Sequence, residues 1–438
     1  MRTLNIGPTV PRSGITRRSA LQLLAGTTAA ATLPRGVLGQ AKWKLSRGDD
    51  ALLDDMERRA ALYFWEQADP ANGQVLDRAD ANNTDGKLRS RRPLSSIAAT
   101  GFGLSTLCIA DHRNYFPHDG IVERVRTTLD FHLNKLPNDH GFFSHFNDVH
   151  SGKAANHSEI SSIDTSLLLC GVLTARAHFN DAKITDLATK LYERVEWPWM
   201  LNGGETFSMG FRDGAFIKSR WNHYCELMML YLLAIGSPTH PVAPGSWDKF
   251  TRPRMVFQKF DYISAPDPLF VHQYSHAWFD FRNKRDSYAD YFANSIIATR
   301  AHKAFCLSLK MGYTDDYWGV TASDSAHGYV AWGGPPALGH IDGTVVPCAA
   351  AGSLPFLPED CLRVLQSLRK MGDQVYGRYS FRDAVHPAAN WYDADVLGID
   401  LGISALMAEN LRTGFVWSTF MRNPEAARAM KLVGFRQG

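Results

Sequence analysis

Apolar residues recur at helical spacing along most of the chain after residue 50. Between residues 50 and 66 they fall on one helical face, and between residues 121 and 133 they repeat every four positions. Residues 361–371 repeat leucine at similar spacing. Asn423 followed by Pro424 is typical of a helix start. These patterns predict amphipathic helices, each with one face against a core.

A second kind of segment is apolar on nearly every side, as in residues 166–172, 224–235 and 396–407. Helices of this kind need apolar neighbours all round, which indicates an inner ring of helices wrapped by an outer ring. Loops rich in glycine, proline and aromatic residues lie between the helices. We predict an all-α fold, an α/α barrel with long loops at one mouth. A superhelical solenoid would also suit the helices, but the chain shows no repeat at a fixed period.

The first forty residues have a different character. The stretch "TRRSALQ" is followed by a mildly apolar run at residues 23–33, which is similar to a twin-arginine export signal and too short to span a membrane. We expect residues 1–40 to be this signal and residues 41–438 to form one domain, located in the periplasm or outside the cell. The twin-arginine export machinery would then be a transport partner, without stable membrane insertion. A disordered basic tail is the alternative.

The charge balance and the cysteine spacing of the chain argue against some classes of function. The 47 Lys and Arg residues nearly balance the 44 Asp and Glu residues, so no basic stripe is available for a phosphate backbone, which argues against nucleic acid as a partner. The six cysteines occur singly and no CxxC spacing is present. We expect buried free thiols, no metal site and no other cofactor.

Acidic residues occur where the pattern predicts a core. Glu226 precedes "LMMLYLLAIG", and Asp400 lies within "DVLGIDLGISALM". Burying an unpaired carboxylate costs several kcal/mol, so each must be paired, neutral or exposed to a cavity. Asp164, three residues after Ser161, matches a capping box, whereas Glu159 would be an ordinary loop acid. For Glu226, Asp164 and Asp400 both a structural and a site role are open.

Aromatic residues in the loops add a second signal. Tryptophans stand beside Asp, Asn, His or Tyr, and a sugar ring stacks on an aromatic face while its hydroxyls bind such polar groups. For each single tryptophan, core packing is an equal alternative. A metal site at His272, His276 and Asp280 is disfavoured, because their aromatic neighbours are more typical of packing or sugar contact. The candidate substrate-binding residues are Trp221, His145, His272, Tyr274, Trp278, Asp324, Trp332, Trp391 and Asp395.

Several longer stretches carry a family resemblance, among them "SSIDTSLLLCGVLTARAHF", "WNHYCELMMLYLLAIGSPTHP", "FVHQYSHAWFDFR" and "DVLGIDLGISALMAENLRTG". With these the chain resembles the glucoamylase-like family of bacterial proteins, whose characterised members fall in glycoside hydrolase family 144. The resemblance implies an (α/α)6 barrel and hydrolysis of β-1,2-glucan, and it implies that Glu226 and Asp164 are site acids. The family's β-1,2-glucanases have D-x-x-E-T where this chain has Ser161 to Thr165, so one acid is missing and Glu159 is the candidate to replace it.

The sequence therefore predicts an exported β-glucan hydrolase with carboxylate acid/base catalysis. Glu226 is the candidate general acid, and Asp164, Glu159 or Asp400 would orient or activate water. Two alternatives stay open. One is a polysaccharide lyase that uses Tyr, His and Arg on an α/α toroid, and the other is a periplasmic glucan-binding protein without catalysis.

Overall fold

The computed structural model of the protein describes residues 44–155 and 157–438, so the predicted export signal lies outside the described residues. Helices dominate the described part. The α-helices are α1 Arg47–Glu66, α2 Ile97–His112, α3 His118–Asn134, α4 Ser162–His178, α5 Ala182–Glu193, α6 Trp197–Leu201, α7 Met228–Gly236, α8 Tyr274–Trp278, α9 Tyr291–Ser308, α10 Pro347–Ala351, α11 Pro358–Lys370, α12 Gly398–Arg412, α13 Phe415–Phe420 and α14 Pro424–Leu432.

The connecting segments contain strands of two to four residues that pair antiparallel in twos or threes. The sequence did not indicate these strands, which are too short to show a period of two. They are β1 Arg78–Asp80, β2 Leu94–Ser96, β3 Asn138–Asp139, β4 Phe142–Phe143, β5 Phe146–Asp148, β6 Ile160–Ser161, β7 Phe207–Ser208, β8 Gly210–Arg212, β9 Ala215–Phe216, β10 Arg220–Trp221, β11 Arg254–Phe257, β12 Phe260–Ile263, β13 Lys284–Arg285, β14 Ala322–Ser323, β15 Val330–Ala331, β16 Tyr376–Gly377, β17 Ser380–Phe381, β18 Val385–His386, β19 Trp391–Tyr392, β20 Asp395–Leu397 and β21 Arg436–Gln437.

Six largely buried helices form the inner ring: α2, α4, α7, α8, α10 and α12. α2 packs between α12 and α4, and α4 packs against α7. The hydroxyl of Ser275 in α8 accepts from the backbone N–H of Met229 in α7 (3.0 Å). The side-chain amide of Gln273, just before α8, donates to the carbonyl of Ala349 in α10 (3.0 Å), and α10 packs against α12. The ring closes, which confirms the predicted all-α barrel.

The outer layer is made of amphipathic helices. α1 covers α2 and α12, α3 packs on α2 and α5, α5 covers α4, and α11 covers α10. Between α7 and α8 the described chain has no outer α-helix, only two short 3-10 helices and the β11–β12 pair, and the C-terminal α14 packs against α7 instead. The helices predicted at residues 50–66, 121–133 and 361–371 are confirmed as α1, α3 and α11. None of the described helices is both long and apolar enough to cross a membrane.

Two predicted helices begin later than expected. The pattern predicted a helix over residues 224–235, but α7 begins at Met228, so Glu226 lies in a turn before the helix. The backbone N–H of Tyr224 donates to the carbonyl of Thr251 (2.8 Å), and Thr251 N–H donates to Asn222 (2.9 Å). These contacts hold the segment extended until residue 224. Residues 396–397 similarly belong to β20, and α12 begins at Gly398.

The closest helix contact in the inner ring joins α2 and α4 through two glycines. A Cβ atom added to Gly171 would lie 2.0 Å from the carbonyl oxygen of Gly101. A Cβ atom added to Gly101 would lie 2.3 Å from the carbonyl oxygen of Leu167. The two backbones therefore touch directly, which leaves no room for a side chain at either position.

We expect Gly171→Ala to destabilise the protein. Alanine has a helix propensity up to about 1 kcal/mol better than glycine, but overpacking against a backbone carbonyl costs about 3 kcal/mol or more. The steric overlap is the larger effect, so the free energy of unfolding should fall. Urea unfolding followed by circular dichroism measures the change. Gly245→Ala is the matched control, because no atom lies within 4 Å of its Cβ position, and it should change stability by about 0.5 kcal/mol or less. Equal stability of Gly171→Ala and wild type would contradict the close contact.

Candidate active site

Three inner helices, α2, α4 and α12, each begin directly after a strand, and strand pairing brings their starts together. β2, which leads into α2, pairs with β5, and Ser144 before β5 bridges Ile160 at the start of α4. β20, which leads into α12, pairs with β1, and Leu76 before β1 bridges Ser95 of β2. These N-terminal ends lie side by side at one end of the barrel, which we call the mouth. Free backbone N–H groups and helix dipoles favour negative charge there.

His145, Glu159 and Asp164 meet at the start of α4, and we call them the His145 trio. His145 Nδ1 lies 3.3 Å from Glu159 Oε1 and 3.5 Å from Asp164 Oδ2. All three residues are buried. Ser161 caps α4, since its hydroxyl accepts from the backbone N–H of Asp164 (3.1 Å) and donates to the carboxylate of the same residue. The predicted capping role of Ser161 is confirmed, and Glu159 is a buried partner of His145 rather than an ordinary loop acid.

Glu226 lies in the buried turn before α7, beside a second histidine. Its backbone carbonyl accepts from Ser275 Oγ (2.7 Å). His223 Nε2 lies 3.5 Å from Asp267 Oδ2. Burial alone would lower the pKa of His223. The carboxylates of Asp267 and Glu226 raise this pKa by more than burial lowers it, so the net pKa lies above the ordinary value of 6.5. The indole N–H of Trp221 donates to Ser162 Oγ (2.9 Å), which ties this turn to the start of α4 and to the His145 trio.

Asp324, Asp383 and Asp393 form a second acidic group, the aspartate cluster, near the start of α12. Each offers a carboxylate oxygen, and these atoms lie within 4.8 Å of one another. Burial and the charge of Asp400 raise the pKa of Asp383. Burial and the charge of Asp324 raise the pKa of Asp393 to about 7. Arg78 pairs with Asp324 (2.5 Å) and with Asp77 (3.1 Å). Asp383 was missed by the sequence analysis, because a single acid in a loop carries no local signal.

Three of the predicted sugar-contacting tryptophans are core residues. Trp221, Trp278 and Trp332 are at most 1% exposed and belong to the hydrophobic core. Their indole N–H groups donate to protein atoms, respectively Ser162 Oγ, Ser105 Oγ and the carbonyl of His340 (2.8–2.9 Å). The packing alternative therefore describes these three residues. Trp391 is half-buried in β19, and its role as a sugar contact stays a prediction.

The other candidates divide between core and mouth. His272 is buried, with Nδ1 3.3 Å from the Tyr224 hydroxyl and Nε2 3.1 Å from Ser264 Oγ. The Tyr274 ring stacks on Phe270 and meets Phe102 edge-on. No continuous helix carries His272, His276 and Asp280, because α8 spans only Tyr274–Trp278. At the mouth, Asp395 pairs with Arg91 (2.9 Å), and Asp400 lies in the first turn of α12.

The described mouth thus gathers buried carboxyl groups around the starts of α4, α7 and α12, while the aromatic candidates pack mainly behind them. Groups that are kept protonated can donate protons, and ionised ones can activate water or accept sugar hydroxyls. Clusters of buried titratable groups with perturbed pKa values are candidates for functional sites.

Comparison with known proteins finds similarity to carbohydrate-active proteins. A family model described as "Putative glucoamylase" matches residues 218–424. An exo β-1,2-glucooligosaccharide sophorohydrolase (non-reducing end) of Parabacteroides distasonis is 27% identical over 439 residues, covering 88% of this chain. The chain spans 58% of the length of that relative.

Solved structures share the fold. A "putative glucoamylase" from Bacteroides caccae has a TM-score of 0.82 at 28% identity, covering 89% of this chain and 100% of that one. An endo-β-1,2-glucanase from Chitinophaga pinensis, in complex with sophorotriose and glucose, has a TM-score of 0.81 at 26% identity, covering 90% of this chain and 99% of that one.

We expect the His223–Asp267 pair to make stability depend on pH. The folded-state pKa of His223 is raised, so its contribution to stability is fully present below the unfolded pKa of about 6.5 and is lost as pH rises through the folded value. His223→Gln should therefore cost more stability at pH 5.5 than at pH 8.5, as measured by urea unfolding. In an Asp267→Asn background the pH dependence of this difference should weaken. A difference that is the same at both pH values would contradict a charged pair.

Proposed function

We propose that this chain hydrolyses β-1,2-linked glucan, in line with its similarity to the glucoamylase-like family model and to β-1,2-glucan hydrolases. The observation that carries the proposal is the set of buried carboxyl groups at the mouth of a barrel that matches an endo-β-1,2-glucanase over 90% of this chain. Glycoside hydrolysis needs two carboxyl groups in different roles, one as proton donor and one as base or nucleophile.

Glu226 is the proposed proton donor. It stands in a buried turn that the Ser275 hydroxyl holds through the backbone carbonyl of Glu226, so the turn is fixed independently of the carboxyl group. A general acid must hold its carboxyl group at a fixed position to donate a proton to the leaving oxygen, and this turn supplies that position.

The His145 trio is the proposed base. Asp164 and Glu159 both approach one nitrogen of His145, and Ser161 anchors Asp164 at the start of α4. This arrangement suits a carboxylate that activates water while its neighbours share the charge. Because Trp221 joins the turn of Glu226 to α4, donor and base stand on neighbouring parts of the mouth. Asp400, on the side of α12, would position the sugar.

Removing the proton donor should remove most of the activity. General acid catalysis contributes about 10²–10⁴ in rate, so we expect Glu226→Gln to lower kcat on linear β-1,2-glucan by about that factor while its circular dichroism spectrum and unfolding midpoint stay close to wild type. Release of reducing ends measures the rate.

Glu205→Gln is the matched control, since Glu205 is exposed and pairs with Lys249 on the surface. It should keep wild-type activity. A Glu226→Gln rate near that of wild type would exclude Glu226 as the donor. Glucan binding without release of reducing ends by the wild type, or release of unsaturated sugars, would contradict hydrolysis itself.

We also propose that the protein is exported through the twin-arginine route. The support is the "TRRSALQ" stretch followed by a short apolar run. All six cysteines are buried free thiols, which agrees with folding in a reducing compartment before export.

Replacing both arginines of the pair tests this proposal. In the double variant Arg17→Lys with Arg18→Lys, we expect the full-length precursor to remain in the cytoplasm, because the export machinery reads the arginine pair. Cell fractionation followed by immunoblotting measures the distribution. Arg12→Lys is the control and should be exported as wild type. Equal export of the double variant would contradict the twin-arginine assignment.

A further inference from the structure

The aspartate cluster contains buried oxygen atoms to which no N–H or hydroxyl group of the described residues donates, and the side chain within hydrogen-bonding reach of Asp383 is another acid, Asp400. Asp383 Oδ2 accepts from Ser323 Oγ (2.6 Å) and from the backbone N–H of Asp324 (3.0 Å), but Asp383 Oδ1 has no hydrogen-bond partner. Asp393 Oδ1 accepts from the backbone N–H of Asp395 (3.2 Å), and Asp393 Oδ2 has no partner. Both residues are more than nine-tenths buried. Each carboxylate is therefore anchored through one oxygen and has its second oxygen unused.

The positive charges near the cluster are already engaged elsewhere. Arg78 pairs with Asp77 and Asp324, and Arg91 pairs with Asp395. Arg382 donates to the backbone carbonyl of Asp393 and to the side chain of Asn82, not to a carboxylate. Among the described residues, Asp383 and Asp393 form no ion pair with Lys, Arg or His. A buried carboxylate without a cation costs several kcal/mol, so the charge of the cluster must be offset, either by protons or by a bound cation.

We propose that Asp324, Asp383 and Asp393 bind one divalent cation, with Ca²⁺ as the ion whose chemistry fits best. The donor set consists of oxygen atoms only, as hard cations require. Ca²⁺ binds oxygen at about 2.3–2.6 Å, so ligands on opposite sides of the ion are about 5 Å apart and adjacent ones are closer. Carboxylate oxygens within 4.8 Å of one another match that span. Ca²⁺ also accepts irregular geometry more readily than Mg²⁺, and Asp324 is exposed enough (side chain 13%) to admit water ligands.

A bound cation would join three separate loops at the mouth. Asp324 follows β14, Asp383 precedes β18, and Asp393 lies between β19 and β20. The ion would therefore hold together the side of the mouth beside Asp400. A sugar could not replace the ion, because its hydroxyl groups could donate hydrogen bonds to these oxygens but could not neutralise their charge. The proposal goes beyond the proposed function, because ion binding is measured without substrate.

Calorimetric titration of the chelator-treated full-length protein tests the proposal. With CaCl₂ up to about 10 mM we expect one binding site per chain and an unfolding midpoint raised by several degrees, with weaker binding of MgCl₂. Asp383→Asn and Asp393→Asn should each weaken Ca²⁺ binding by about ten-fold or more, because each removes one ligand charge. Asp316→Asn, an exposed acid in a nearby loop, is the control and should bind Ca²⁺ as wild type.

The stability of the variants in the absence of the ion is a second measurement. The substitutions that weaken Ca²⁺ binding should not lower this stability. In chelator, Asp383→Asn and Asp393→Asn should be at least as stable as wild type, because each removes one repelling charge. If wild type neither binds Ca²⁺ nor gains stability from it, the proposal is overturned and a proton shared between carboxyl groups supplies the missing charge. If the two variants bind Ca²⁺ as tightly as wild type, the site lies elsewhere and the assignment is equally overturned.

Discussion

A carboxyl group can be buried in this barrel only where hydrogen-bond donors or positive charges offset its loss of hydration. The direction of the inner helices decides which of these each end of the barrel offers. At the N-terminal ends, backbone N–H groups and hydroxyls are available, as Ser161 shows for Asp164 and Ser323 for Asp383. At the opposite end, the helix dipole disfavours negative charge. The buried Glu57 and Glu409 there are paired with arginines instead, Glu409 with Arg113 (2.7 Å) and Glu57 with Arg412. The acids at one end thus have arginine partners, while Asp383 and Asp393 at the mouth form no ion pair with Lys, Arg or His of the described residues.

This asymmetry separates a structural end from a functional end. The arginine pairs of Glu57 and Glu409 hold α1, α2 and α12 together, although burial and the charge of Glu409 raise the pKa of Glu57. At the mouth the burial of Asp393 is only partly compensated, and its pKa rises to about 7. A carboxyl group whose pKa lies near 7 can exchange a proton near neutral pH, which is the behaviour expected of a functional group.

The sequence predicted what depends on local pattern and failed where distant contacts decide. The periodicity of residues 121–133 was sufficient for α3, and the apolar run around Leu168 was sufficient for an inner helix. The start of α7 was wrong because Thr251 holds the preceding segment extended, and no local pattern encodes that contact. Tryptophans beside polar residues look alike in sequence whether they face a cleft or the core, since the polar neighbour can be the partner of the indole N–H, as Ser162 is for Trp221. The aspartate cluster joins loops that are far apart along the chain, so each of its acids looks ordinary alone.

The serine at position 161 contributes to the proposed base at the start of α4. An aspartate there could cap α4 as serine does, but it would place a second negative charge against Asp164. Ser161 instead donates a hydrogen bond to Asp164, and Glu159 reaches the same histidine from the neighbouring strand segment. An imidazole in contact with two carboxylates can hold a proton between them, so we infer that His145 is part of the base and is not only a contact for the sugar.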